Sequence, residues 1–391
     1  MNTQANIQPN NQATIKPGPN WRNVILFLGL TFGLTWILNL FIWQGINGLG
    51  QNATLLLQLQ MLLPAFSAIL LSLFVFKDSH LYRSNYLTTM QPQSDPAGDR
   101  PVGGRKVFGP RWFYYSYLLF TLVYALLGSL ILVLPEQSTT ISAIGGGINI
   151  LMLVILIIMR ALSGKQSFNL AGLRGGKVLH WLLYGLAFVL FYGLSTALNA
   201  AFSLGQPSNP AEMLTAMSGG QQQVDMPLGA LRLLLFVQTV VIGPLLGLIM
   251  GFGEEYGWRS YLQGELIKLG KLRGVFILGV IWGVWHYPVI WMGHNYPGYP
   301  VWGSLVMTGY TILLGFVLSY VMLKTGSIWL VAYLHAINNQ VLAFFTLSFY
   351  QVDNPLFSFG IGIYGLLTLL PIVALLLRDK VWRPDGRKAY R

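Results

Sequence analysis

The sequence contains no cysteine among its 391 residues. Disulfides, thiolate metal sites and thiol nucleophiles are therefore excluded. Charge is scarce too: Asp, Glu, Lys and Arg make up 9% of the chain, where soluble domains carry roughly 25%. No aspartate falls inside an apolar run, which disfavours an aspartyl-type intramembrane protease. His-Glu-x-x-His, Gly-x-Ser-x-Gly and a phosphate-binding glycine loop are also missing, so the common zinc-hydrolase helix, serine-hydrolase elbow and nucleotide loop have no place here.

What fills the chain is apolar sequence, 54% of all residues. A membrane span needs roughly 20 mostly apolar residues. Runs of that kind fall at residues 24–44, 54–76, 112–134, 143–162, 181–204, 228–252, 275–292, 301–323, 327–349 and 355–377. The expected fold is all-α, a polytopic transmembrane helix bundle of about ten spans. Residues 1–22 are polar, rich in Gln and Asn, and expected to be a disordered tail without a cleavable signal. The stretch 77–111, with its Pro, Gly, Ser and Asp, is expected to be a flexible loop.

The net charge of +12 is not a nucleic-acid signal, because the cations sit in alternate short loops between apolar runs. Arg22, Lys77, Arg83, Arg100, Arg105, Lys106, Arg111, Lys165, Arg174, Lys177, Lys268, Lys271, Arg273, Lys324 and the basic tail fall on one side. The other side holds Glu136, Glu212, Asp225 and Asp353. Arg232 alone lies on the wrong side, where it can snorkel from its helix end. The alternation places both termini in the cytoplasm, and the expected location is a bacterial plasma membrane.

Glu254 and Glu255 follow a stretch, residues 229–253, whose one charge is Arg232. Adjacent carboxylates in or beside hydrocarbon are functional candidates. The plain alternative is a helix end with Glu255 and Arg259 paired at i, i+4. Anions are favoured at a helix N-terminus, however, and these stand at the C-terminal end of an apolar run. The chemical reading makes one carboxylate a general base, with Arg259 holding Glu255 ionised and Glu254 moving the proton. His286 lies inside the seventh run, with Pro288 two residues on. His335 and Asn339 share a helix face, with Asn338 near it, and amide and imidazole donors in a row suit an oxyanion. Intramembrane His and Asn also serve as interhelical glue; Asn39, Gln58, Gln60, Asn149, Asn199 and Gln238 are read that way. His80, His180 and His294 are read as surface residues. Convergence of the glutamates with the deeper histidines requires the sixth span to run past its apparent end, or to bend back at Gly251 and Gly253. A conical cavity open to the cytoplasm is expected.

These residues resemble a known signature. Glu254-Glu255-x-x-x-Arg259, then Trp282-x-x-x-His286, then His335-x-x-x-Asn339, in three successive helical regions, are similar to the motifs of the CPBP family. Those are the CAAX proteases and bacteriocin-processing (Abi) enzymes, intramembrane endopeptidases that include the type II CAAX prenyl endopeptidases. One departure is Trp282, where the family usually has Phe. The resemblance covers about 228–349 as a protease core. It leaves residues 23–204 without a role and 350–391 as a last span and basic tail.

The resemblance implies that Glu254, assisted by His286, activates water for attack on a peptide bond. His335 and Asn339 then stabilise the oxyanion, while Glu255 and Arg259 support the site. The family is often labelled metalloprotease, but carboxylate base and amide donor are roles these residues fill without a metal, so no cofactor is favoured; with zinc, the ligands would be Glu254, His286 and His335. The implied substrate is a membrane-associated peptide: a prenylated C-terminus, a leader peptide or a membrane-protein segment. Two alternatives stand beside it. One is a non-catalytic immunity or regulatory membrane protein of the same fold. The other is a transporter, for which no internal repeat is visible.

Overall fold

The computed structural model describes residues 18–49, 54–77, 109–217 and 224–383. The tail at 1–17 and most of the 77–111 loop lie outside them.

Long apolar segments fold as helices because nothing else satisfies their backbone in hydrocarbon. They run as α1 (Trp21–Leu49), α2 (Thr54–Phe74), α3 (Arg111–Val133), α4 (Ser138–Leu170) and α5 (Val178–Ala201). A short α6 (Pro210–Met217) lies outside the long helices, and then comes a broken helix. Its pieces are α7 (Leu228–Phe236), a π-helical turn (Val237–Ile242), α8 (Gly243–Leu246), α9 (Leu248–Glu255), a second π turn (Tyr256–Leu262) and α10 (Gln263–Leu266). There follow α11 (Lys271–Trp285), α12 (Tyr287–Trp291), α13 (Pro300–Thr325), α14 (Ile328–Ser348) and α15 (Ile363–Leu376). Among the described residues two strands, Gly205–Pro207 and Tyr350–Val352, form one antiparallel pair.

Among the described residues eight helical segments are long and apolar enough to cross a membrane. The other two expected spans are present in altered form. The seventh is split at His286 into α11 and α12, and the tenth is the 14-residue α15. Helix α5 shows what surrounds the bundle: Leu179, Leu182, Leu183, Leu186, Leu190 and Leu194 are all exposed along one face. Such a leucine face requires hydrocarbon as its solvent.

Close packing sets the directions of the helices. Gly251 and Gly247 face Ala332 and Ala336, so α9 and α14 run antiparallel; Gly279 and Gly283 face Ile312 and Thr308, so α11 and α13 do the same. A Cβ at Gly251 would strike the Ala332 carbonyl, and one at Gly253 the Met61 carbonyl. These two glycines therefore let α9 lie against α14 on one side and α2 on the other, and the backbone stays helical through both. They do not make the bend expected of them. The N-terminal helices join the same core: Phe27 packs on Trp258 at 5.9 Å, Trp285 donates to Thr35 Oγ1 at 2.9 Å, and Tyr117 donates to the Leu62 carbonyl at 3.2 Å. Asn149 and Asn199 act as the expected glue, donating to the Leu246 and Phe359 carbonyls.

The hairpins sort the charges by end. Lys165, Arg174, Lys268, Lys271, Lys324 and Lys380 gather at one end, where Lys324 pairs with Asp379 at 2.7 Å. Arg232 lies at the opposite end, donating to the Ser348 carbonyl and stacking over Phe349.

Candidate active site

The helix carrying the glutamates continues beyond the end that hydropathy gives it. From Leu248 it passes through Glu254 and Glu255 into the second π turn and on to Leu266. Each π turn inserts an extra residue and rotates the faces that follow, a device often found at functional sites. Because the charged stretch is enclosed by α2, α11 and α14, it need not leave the bundle to satisfy its polar groups. The sixth span therefore reaches the histidines by running on, the first of the two routes expected.

Glu254, Glu255, Arg259 and His335 are all buried and form one cluster. Glu255 Oε1 accepts from Arg259 Nη1 at 3.1 Å and from His335 Nδ1 at 2.6 Å. A carboxylate only accepts, so Nδ1 carries the proton and Nε2 faces Glu254 Oε1 at 3.5 Å. Glu254 Oε2 accepts the indole N–H of Trp282 at 2.8 Å. The Arg259 guanidinium stacks over the same indole at 4.1 Å. Trp282 thus bridges the base candidate and the cation, a role that the sequence showed only as an aromatic position.

His286 is the residue at which α11 gives way to α12. Its Nδ1 pairs with the Trp282 carbonyl at 2.8 Å. That carbonyl can only accept, so Nδ1 donates; in the neutral ring Nε2 then bears the lone pair, and it has no partner among the described residues. Asn338 Oδ1 accepts from Tyr192 at 2.8 Å and from Tyr310 at 2.7 Å, and its Nδ2 donates to Asn339 Oδ1 at 3.3 Å. These two tyrosines, from α5 and α13, join the site only through the fold. No local pattern marks them, since Tyr192 is 146 residues from Asn338.

Glu254, Trp282, His286, His335, Asn338 and Asn339 line one cavity of about 370 Å³. Gln58 and Gln60 also line it, and Gln60 Oε1 is buried without a partner; their reading as glue is corrected accordingly. His294 is exposed and belongs to the cavity wall. The cavity extends to Thr54, Asn295 and Ile361, which lie at the end opposite the basic loops. The expected opening toward the basic end is therefore wrong. Arg259, Gln263 and the α10 turn close that side. Among the described residues no three His, Asp or Glu side chains are arranged to hold a metal ion. His335 is held instead between the two carboxylates.

Residues 236–341 match the family described as type II CAAX prenyl endopeptidase Rce1-like. The matched segment contains all seven motif residues and carries the family resemblance. No curated protein and no solved structure matches the chain.

Proposed function

We propose, from this Rce1-like membrane segment and its buried Glu–His cluster, that the protein is an intramembrane endopeptidase of the glutamate type. The observation that carries the reading is Glu254 itself. It is a buried carboxylate on a cavity wall, held by one indole N–H and facing an imidazole nitrogen at 3.5 Å.

In the proposed reaction a water in the cavity gives one proton to Glu254 as its oxygen attacks the peptide carbonyl. His286 Nε2 accepts a hydrogen bond from the water's second O–H, which stays on the oxygen, and so orients the water. Asn339 donates to the oxyanion, with its amide held by Asn338, which Tyr192 and Tyr310 fix in turn. His335 is tied to both glutamates, so its role shifts from oxyanion donor toward sharing the proton that Glu254 acquires. Collapse of the tetrahedral intermediate returns that proton to the leaving amine. Glu255 and Arg259 keep the cluster's charge balanced and its geometry fixed. No step runs through zinc.

The substrate class that fits is a membrane-associated peptide, because the cavity mixes Leu57, Met61, Val289 and Leu314 with its polar groups. With the basic end in the cytoplasm of a bacterial plasma membrane, the peptide reaches the site from the outer side or from the bilayer. The test compares membrane-associated peptide termini from cells bearing wild-type or Glu254→Gln protein. Termini present only with the wild type support proteolysis. Identical sets, together with a cellular phenotype that survives alanine at Glu254, His286 and His335, select the non-catalytic immunity reading.

A further inference from the structure

A second, larger cavity of about 700 Å³ lies at the basic end, behind the reaction centre. Lys165 of α4, Arg174 of the turn before α5, and Arg259 line it, and no acidic residue does. Lys165 and Arg174 have no ion-pair partner among the described residues. Arg259 backs the wall from behind. Its side chain is fully buried, and Glu255 takes only Nη1. Its Nε and Nη2 have no hydrogen-bond partner. A guanidinium cannot shed its charge, and buried donors left unpaired are costly. The remaining wall is partly apolar, with Leu170, Ile267 and Met322.

We propose that this cavity binds a phosphate-bearing anion. Phosphate oxygens would accept from Lys165 and Arg174, and the anion's charge would lie beside the buried Arg259 that backs the wall. The fork of a guanidinium matches such oxygens, and lysine adds a point charge. The same chemistry has two sources. One is free inorganic phosphate. The other is the headgroup of an anionic phospholipid from the adjacent leaflet, whose glycerol end the apolar wall would take. The site extends the function beyond peptide hydrolysis. An anion beside Arg259 is one ion pair away from Glu255, and through the shared Oε1 two contacts away from His335. Occupancy would set how tightly Arg259 holds Glu255, and so how the reaction centre is organised. Anion binding is independent of whether Glu254 is a base, so the two proposals fail separately.

The experiment follows thermal unfolding of the purified full-length protein in nanodiscs. One arm titrates inorganic phosphate against chloride at constant ionic strength, in phosphatidylcholine alone. The other compares phosphatidylcholine with mixtures containing phosphatidylglycerol. A bound anion raises Tm by mass action. The expected result is a saturable rise in one arm. In the Lys165→Gln/Arg174→Gln variant the midpoint should weaken by about tenfold or more, as the loss of charge-assisted bonds requires. A rise with phosphate identifies the free anion, and a rise only with phosphatidylglycerol identifies the lipid. General salt stabilisation would raise wild type and variant alike, and that outcome overturns the proposal, as does no rise in either arm. Should the double variant fail to fold, Lys165→Glu alone serves, since Lys165 is exposed. An unchanged midpoint in that variant equally overturns the site.

Discussion

At the scale of the residue, two neighbouring carboxylates are kept different by their partners. Glu255 is bound by a guanidinium and an imidazole, whereas Glu254 faces the cavity with one indole N–H. Trp282→Phe tests the indole's part. Phe retains a ring for Arg259 to stack on, and the family usually carries it there, so the fold should survive. The lost hydrogen bond to a charged group is worth about 1.5–3 kcal/mol, so kcat/KM should fall roughly tenfold to a hundredfold while the expression level holds. Unchanged kinetics would show that the 2.8 Å contact has no part in the reaction. Arg259→Lys is a sharper probe. Lysine keeps the charge but loses the planar stack and the fork. Breaking a buried pair costs about 3–5 kcal/mol, so this variant should unfold at distinctly lower temperature than the wild type. A melting curve that does not move would mean that Lys reaches Glu255 equally well.

At the scale of the element, the helix from Leu228 to Leu266 is the decisive piece. Its polar residues were legible: Glu254, Glu255 and Arg259 stand out against an apolar run, and the i, i+4 pair forms as their spacing requires. The split of α11 from α12 at His286, two residues before Pro288, is equally consistent with the sequence. The depth of the glutamates was not legible. Hydropathy treats charge as an exit from the membrane, yet here the neighbouring helices replace both lipid and water. Gly251 and Gly253 looked like hinge residues because sequence shows small size and not the neighbour. Their actual constraint is contact with two carbonyls across two helix interfaces. Gly251→Val should therefore separate α9 from α14. Overpacking of this kind costs about 1–3 kcal/mol, and the variant should lose folded yield in detergent and most of its activity. Wild-type yield and activity would mean that the interface has slack.

At the scale of the whole molecule, hydropathy and loop charge gave the helical bundle and its two unlike ends. They did not give the cavity's direction. Loop charges report how the chain is threaded, while the opening depends on which helices part above the glutamates. Thr54, Asn295 and Ile361 come from three distant segments, as do Tyr192 and Tyr310, and no local pattern joins them. Of the N-terminal helices, silent in the motifs, α2 supplies Thr54, Gln58, Gln60 and Met61 to the wall. Sidedness is directly testable because the chain has no cysteine of its own. With Asn295→Cys and Lys268→Cys as single labels, a membrane-impermeant thiol reagent applied to intact cells should modify the first and spare the second. The reverse pattern would place the cavity mouth in the cytoplasm.

The central claim is that Glu254 takes the proton from the attacking water. The most direct measurement is the single-turnover cleavage rate of purified wild-type and Glu254→Gln protein, on a peptide whose terminus depends on the wild type in cells. Glutamine is nearly isosteric and can still accept the Trp282 N–H, so the fold and peptide binding should persist. Loss of a general base lowers the rate by about 10²–10⁴-fold, and a fall of that size with unchanged melting is the result the account predicts. A rate within a few-fold of the wild type would contradict it.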